Sequence, residues 1–235
     1  MLVEDHGRVP PERGLALEIG ALHALARAAP ANAFSAERLL VWESAWPAVV
    51  LPRRGEPARW VRETACAARG VPLLHRDSGG GAVVVGPGCL TFALILSLEA
   101  RPRLADVAHS YDWLLAREAD VLDRETDVLD REAGVLAREA GARASGGIVA
   151  RSTDLALRDR KFAGHAQRRV RGGLLHHGVL LYDFDVDLID CLLAEPPRAP
   201  AWRRGRSHRE FLTNAPLTRS ALVRRLRRLP AALER

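Results

Sequence analysis

Three stretches of the sequence set chemistry-bearing residues close together. "HRDSGGGAVVVGPG" (75–88) places Arg76, Asp77 and Ser78 ahead of Gly79, Gly80 and Gly81, followed by Ala82, Val83, Val84 and Val85. Consecutive glycines let a backbone approach a ligand and turn several N–H groups inward, forming an anion nest. An arginine beside them can pair bidentately with a carboxylate or phosphate. A plain glycine hairpin would fit the three glycines equally well. No Gly-Lys-Ser/Thr follows, which excludes a Walker motif, and no helix opens after the glycines, which excludes a dinucleotide fingerprint. "TDLALRDRKFAGHAQRR" (153–169) places Asp154 ahead of Lys161, with a turn expected at Arg158, Asp159 and Arg160. An acid and a lysine on adjoining strands could share a magnesium ion and a phosphate. "LLHHGVLL" (174–181) adds His176, His177 and Gly178 inside an apolar strand. Adjacent strand residues face opposite ways, so at most one of the two histidines enters a given pocket. The HExxH spacing is absent, and no zinc site is expected.

Lys161 stands out for a second reason. Of 35 basic residues it is the only lysine; the other 34 are arginine. The two cations substitute for one another on a solvated surface. They differ where a compact ammonium must fit between converging oxygens, because the guanidinium is broad and flat. A composition this biased keeps a lysine where an arginine cannot serve, and that marks Lys161 as functional.

These residues need a scaffold, and the chain provides one. A hydrophobic fraction of 48% over 235 residues suits one large domain or two small ones. No apolar h-region follows the N-terminal methionine, and no apolar run approaches the roughly 18 residues of a membrane span. Three cysteines (Cys66, Cys89 and Cys191), far apart and without metal-ligand spacing, point to a reducing cytoplasm. The net charge of +6 is spread along the chain, and only 5% of residues are aromatic, which argues against base stacking and a nucleic-acid role. Helical spacing appears in "LALEIGALHALARAA" and in "RWVRETACAARG", closed by Gly70. Strands are expected at "RLLVWE", "AVVLPR", "VPLLHRD", the valine run and "CLTFALIL", with a strand pair in "GGLLHHGVLLYDFD". Interleaved helices and strands around one mixed sheet give an α+β (mixed α/β) class. From about 104 to 140 a tandem heptad, "READVLD-RETDVLD-REAGVLA", predicts one long helix of about 50 Å. Repeat slippage on a surface helix explains it, with a docking or dimer seam as the alternative.

Taken together, these motifs resemble the lipoate–protein ligase A group of the biotin/lipoate A/B protein ligase family. The likeness also takes in "WRRGRSHREFLTN" and runs from about Leu15 to Leu222, with the motifs in family order. The resemblance implies the fold of the biotin/lipoate ligase catalytic domain, with a mixed sheet flanked by helices, as a single domain over 1–235 without the C-terminal accessory domain of larger ligases. It implies ATP-dependent activation of lipoate or octanoate to an acyl-AMP, with Mg2+, and transfer to a lysine of a lipoyl-domain protein, glycine cleavage H-like or dehydrogenase E2-like. Lys161 would touch both the substrate carbonyl oxygen and the α-phosphate. Arg76, Ser78, Gly79, Gly80, Gly81, His177 and Gly178 would bind the acyl group. Asp77, Ala82, Val83, Val84, Val85 and Asp154 would join Lys161 around ATP, with Asp154 also a ligand for magnesium.

The chain departs from the family pattern at Val85-Gly86, where His-Asp is frequent, at Cys89, where Asn is, and at Pro52, where Gly is. Some relatives need a separate small partner protein, so the resemblance leaves open whether this chain works alone or with such an accessory protein. Two other readings stay open. One is an octanoyl or lipoyl transferase working without ATP through a cysteine thioester, for which Cys89 is the candidate thiol. The other is a non-catalytic binder of acyl groups or lipoyl domains.

Overall fold

Strand β6 (Cys89–Ser97) is buried at every position, which its almost wholly apolar sequence allows. Strands β1 (Leu2–Val9), β2 (Arg38–Ser44), β7 (Val149–Arg151), β8 (Asp154–Leu157), β9 (Arg160–Val170) and β10 (Gly173–Leu181) complete a seven-stranded sheet around it. The computed structural model describes residues 1–29, 32–123 and 147–234. Strand order is β1-β2-β6-β10-β9-β8-β7. The β1–β2 pair is parallel and the other pairs are antiparallel. A second, three-stranded sheet has the order β4-β3-β5, from β3 (Ala48–Leu51), β4 (Leu73–His75) and β5 (Val83–Val85).

Each layer is held by its own apolar cluster. Helix α1 (Pro11–Arg27) sets Leu22 and Leu25 on Leu40, Ala93, Ile95 and Leu175, on one face of the large sheet. The other face is covered by α3 (Val107–Asp123) and by the last two helices, α6 (Arg219–Leu226) and α7 (Leu229–Ala232). There Leu114, Leu115, Leu222 and Leu229 meet Leu39, Val41, Phe92 and Leu94. The small sheet packs with α2 (Glu63–Ala68) and α4 (Val186–Leu192) through Val49, Val84, Val85, Cys66, Ile189 and Leu192. A last short helix, α5 (His208–Phe211), begins on a capping box between Ser207 and Glu210.

The α+β class holds, with three differences in detail. There are two sheets where one was expected, because the valine run pairs with Ala48–Val50 and not with β6. "GGLLHHGVLLYDFD" supplies one strand, not two, and its neighbours are β9 and β6. The first strand, "LVEDHGRV", was not anticipated: its charges belong to a sheet edge, where they discourage further pairing and hide the apolar alternation. Of the expected heptad helix, α3 covers the start; the rest lies outside the described residues.

One buried ion pair ties the C-terminus to the sheet. Arg101, 4% exposed, donates from Nε and Nη2 to the two oxygens of Glu37 at 2.9 Å each, and from Nη1 to Leu233 O at 2.9 Å. Removing one partner leaves an uncompensated buried charge, at a cost of about 3–5 kcal/mol. Arg101→Leu should therefore lower unfolding stability by about that amount in urea titration, whereas the exposed Arg227→Lys should leave it unchanged.

Candidate active site

A two-residue turn starts the site. Arg158 and Asp159 both have positive φ, 48° and 66°, as in the tight hairpin turn whose twist matches the flanking strands. It joins β8 to β9, so Asp154 and Lys161 lie on adjoining strands. The pairing then slips: Leu155 faces Ala163, but Ala156 faces Lys161. Phe162 is the extra residue of a β-bulge. A bulge reverses the alternation of side chains beyond it. Without it Lys161 would point with Ala163 and His165 to the opposite face; with it, Lys161 shares a face with Gly164.

Gly164 itself stands opposite Asp154. Lys161 Nζ lies 2.6 Å from Asp154 Oδ1, in the space a side chain at 164 would occupy. A Cβ there would come within 2.6 Å of Nζ. The lysine side chain is 26% exposed and the aspartate 4%, so the pair forms the floor of a cavity with the ammonium uppermost. The backbone at Lys161 is anchored from outside by Thr213 N–H, which donates to Lys161 O at 2.9 Å.

The glycine loop forms the facing wall. Arg76 lies behind it, 8% exposed, donating from Nη2 to Gly79 O at 2.6 Å and Gly81 O at 2.7 Å. No peptide bond among the described residues is cis. In a planar trans peptide the N–H points opposite the C=O, so drawing these two carbonyls back turns the amides of Gly80 and Ala82 toward the cavity. Gly80 adopts φ +93°, open in practice only to glycine. Arg76, which does not line the cavity, thus holds the loop so that these two amides are available to an anion.

Arg76 is supported by a chain of buried hydrogen bonds. Its Nε donates to Ser78 Oγ at 2.7 Å, and Ser78 Oγ lies 2.7 Å from His177 Nε2. His177 Nδ1 meets Glu18 Oε2 at 2.6 Å, and Trp42 Nε1 donates to Glu18 Oε1 at 2.8 Å. A carboxylate only accepts, so Nδ1 carries the imidazole proton and Nε2 accepts from the serine. Burial pulls the Arg76 guanidinium down to about 10, opposed by the Glu18 carboxylate at the far end of the chain.

The cavity between floor and wall measures about 1220 Å³. That exceeds the ~300–1,000 Å³ of a typical single-ligand pocket. Of the residues expected at the site, Asp77, Gly79, Gly80, Gly81, Ala82, Val83, Val84, Asp154 and Lys161 line it. Arg76, Ser78, Val85, His177 and Gly178 do not; the first, second and fourth lie behind the wall, Val85 is in the core of the small sheet, and Gly178 faces the opposite side of the large one. Sequence reasoning missed the apolar end, Val179, Leu181, Ile189, Leu193 and Phe211, and the basic rim of Arg53, Arg54, Arg59 and Arg168. Alternation along β10 from His177 could have found Val179 and Leu181; nothing local marks the others. None of the three cysteines lines the cavity. Cys89 is fully buried, and burial pushes its thiol far above the usual range.

The floor makes a direct prediction. Gly164→Ala should keep the fold, because only the mobile tip of Lys161 must move and alanine favours a strand over glycine by about 0.5–1 kcal/mol. The melting temperature should stay level or rise, while a crystal structure should show Nζ displaced from Asp154. Turnover should fall about a hundredfold, the usual cost of misplacing one charged donor.

The chain's similarities to known proteins bear on the same elements. Residues 15–214 match the family described as the lipoyl protein ligase A/B catalytic domain. Among solved structures, P. falciparum LipL1 in complex with lipoate superposes with TM-score 0.69 at 14% identity, covering 99% of this chain and 62% of that one. Protein Ta0514 from T. acidophilum with bound lipoic acid gives 0.69 at 18%, covering 100% and 87%. A lipoate-protein ligase A bound with ATP gives 0.68 at 18%, covering 100% and 86%. At such identities the likeness shows the fold. No curated protein matches the sequence significantly. The match over 15–214, which takes in the glycine loop, Asp154, Lys161 and His177, shows that the chain belongs to the lipoyl protein ligase A/B catalytic domain family.

Proposed function

We propose that this protein is a lipoate–protein ligase that activates lipoate or octanoate with ATP and passes the acyl group to a lysine of an acceptor lipoyl domain. The observation that carries the proposal is the Lys161–Asp154 pair facing the Gly80–Ala82 amides across one cavity large enough for two substrates. In the first step a carboxylate oxygen of the fatty acid attacks the α-phosphorus. The bond to the β-phosphate oxygen breaks, pyrophosphate leaves, and an acyl-AMP forms. In the second step the acceptor lysine amine attacks the acyl carbon, AMP leaves with the C–O electron pair, and the amine loses a proton as the amide forms.

The chain's residues contribute position and charge. Two anions must meet, and donors fixed before the reaction stabilise the charge that builds on the phosphoryl oxygens. Lys161 supplies a point charge to the carboxyl and α-phosphate oxygens together. The Gly80 and Ala82 amides supply neutral donors from the facing side, and Arg53, Arg54 and Arg168 make the rim attractive to a polyphosphate. Asp154 orients the ammonium. It suits magnesium poorly, since Oδ1 is taken by Lys161 and the side chain is 4% exposed. Magnesium would instead enter on the nucleotide phosphates, where it would offset their charge.

Three further points support this reading over its rivals. Thioester chemistry needs a thiol in the cavity, and the cysteines lie elsewhere, Cys89 behind Val84 with its thiol strongly disfavoured as thiolate. A mere binder has no need of a buried clamp on a nest or of a lysine re-aimed by a bulge. Structural neighbours hold lipoate or ATP, and one neighbour is described as a bi-partite lipoate protein ligase with its E2 lipoyl domain. We extend from it both the lipoyl-domain acceptor and a separate small accessory protein. No helix among the described residues is long and apolar enough to cross a membrane, and we place the reaction in the cytoplasm.

The test uses the lysine. A guanidinium above Gly164 must displace Asp154 or turn its donors off the carboxyl and phosphate oxygens. Lys161→Arg should therefore fold normally yet lose at least about a hundredfold in pyrophosphate release from ATP and free acid. Turnover within a few-fold of the wild type would remove Lys161 from the mechanism.

A further inference from the structure

On the face of the large sheet turned away from the cavity, His165 of β9 and His176 of β10 converge on Glu118 of α3. His165 Nε2 lies 2.9 Å from Glu118 Oε2, and His176 Nε2 lies 2.8 Å from Glu118 Oε1. All three side chains are fully buried. The two imidazoles stack almost parallel, with planes at 10° and centroids 5.4 Å apart. Gly178 makes the arrangement possible: it stands opposite His165 in the register, and a Cβ there would come within 2.4 Å of His165 Cδ2. The glycine expected to close the acyl pocket instead gives this ring its place.

Hydrogen bonds fix what each nitrogen can do. His165 Nδ1 lies 3.0 Å from Thr153 O, a carbonyl, so Nδ1 carries a proton. His165 Nε2 and Glu118 Oε2 lie 2.9 Å apart in a dry interior, where a cation must hold them together, either a second imidazole proton or a metal ion that displaces it.

We infer that Glu118, His165 and His176 form a site for a borderline divalent transition-metal ion, of which Zn2+ is the type, bound by both Nε2 atoms and by both oxygens of the carboxylate. Two imidazoles and a carboxylate suit zinc. Magnesium and calcium take oxygen sets, and copper(I) prefers sulfur. The ligand atoms all lie within 4.8 Å of one another, so side-chain shifts on the order of an ångström bring all three within metal–ligand bonds of about 2.0–2.2 Å. The His165–Thr153 bond is the outer contact that metal-bound imidazoles make.

His176 must change its tautomer. Its Nδ1 now faces Gln167 Nε2 at 3.1 Å, so Nε2 carries the proton given to Glu118. Binding moves that proton to Nδ1 and turns the Gln167 amide so that its oxygen accepts it. The amide oxygen then leaves Arg169 and Ser110, which keep each other at 2.7 Å; Arg169 also keeps Leu104 O. Gln167 and Tyr111, which flank His176, also line the cavity, so an ion entering from there must pass between them. Once bound, it would clip α3 to the two strands that carry Lys161 and His177. The site does not depend on which acyl chemistry the cavity performs.

The test is direct metal binding by the full chain, stripped with chelator and titrated with Zn2+ by calorimetry and with Co2+ by visible absorption. One equivalent should bind, Co2+ should show the intense bands of a four-coordinate ion, and Zn2+ should raise the melting temperature. Glu118→Gln and His176→Gln should abolish those bands. Gln167→Glu, which sets a carboxylate against His176 Nδ1–H, should tighten binding about tenfold. Because the ligand variants can fail to fold, the wild-type titration decides. Absence of stoichiometric uptake there overturns the site. So does uptake with the pale spectrum of a six-coordinate ion that Glu118→Gln leaves unchanged, since that would come from surface histidines.

Discussion

The site depends on one contact, the ammonium of Lys161 seated on Asp154 above Gly164, and three local features of the chain serve it. The Arg158-Asp159 turn sets β8 and β9 side by side. The bulge at Phe162 turns the lysine to the cavity face and sends the phenyl ring into the core. Gly164 leaves room for the ammonium directly over the carboxylate. Each is needed for geometry, and none contributes charge. Asp159 also joins Arg151, Arg204 and Arg206 in an ion cluster, so the left-handed turn is held from outside by pairs at 3.6–3.9 Å. Exposed pairs of this kind contribute little each to stability; their use here is to keep a strained turn in one conformation.

The facing wall follows the same logic with its charge reversed in placement. A cation would be expected to reach for an anionic ligand, yet Arg76 faces backward and spends its donors on backbone carbonyls and Ser78. The wall thus offers amides, which are neutral, while the guanidinium charge is matched through His177 by Glu18, itself held by Trp42. Gly14 is part of that support, for a Cβ there would strike the Trp42 ring at 2.4 Å. Among the described residues, the full positive charge set on the cavity floor is then that of Lys161. That explains why a chain that uses arginine everywhere else retains one lysine.

Much of this was legible from residue order alone. The hairpin turn, the glycine loop, the Asp154–Lys161 spacing and the opposite facing of His176 and His177 all follow from short-range rules. What was not legible depends on register and on partners far along the chain. Strict alternation would have sent Lys161 to the wrong face, and only the pairing with β8 reveals the bulge. Arg76 was expected at the ligand because arginine beside glycines usually binds anions; its burial by Val50, Ser78 and the loop carbonyls is a tertiary effect. Glu18 and Glu118 sit in helices where an acid reads as part of a solvated face, and both are buried by histidines of β9 and β10. The second sheet escaped notice because a valine run does not say which strand it will join.

The central claim is that the cavity joins a carboxylate to the α-phosphate of ATP before the acyl group moves. The most direct measurement follows the oxygen: the wild-type chain is given ATP, an acceptor lipoyl domain and octanoate or lipoate labelled with 18O in its carboxylate, and the nucleotide product is weighed by mass spectrometry. Attack by the carboxylate on the α-phosphorus, followed by aminolysis, leaves one heavy oxygen in AMP for each acceptor modified. Modified acceptor without labelled AMP, or modification that proceeds without ATP from an acyl thioester, would contradict the account.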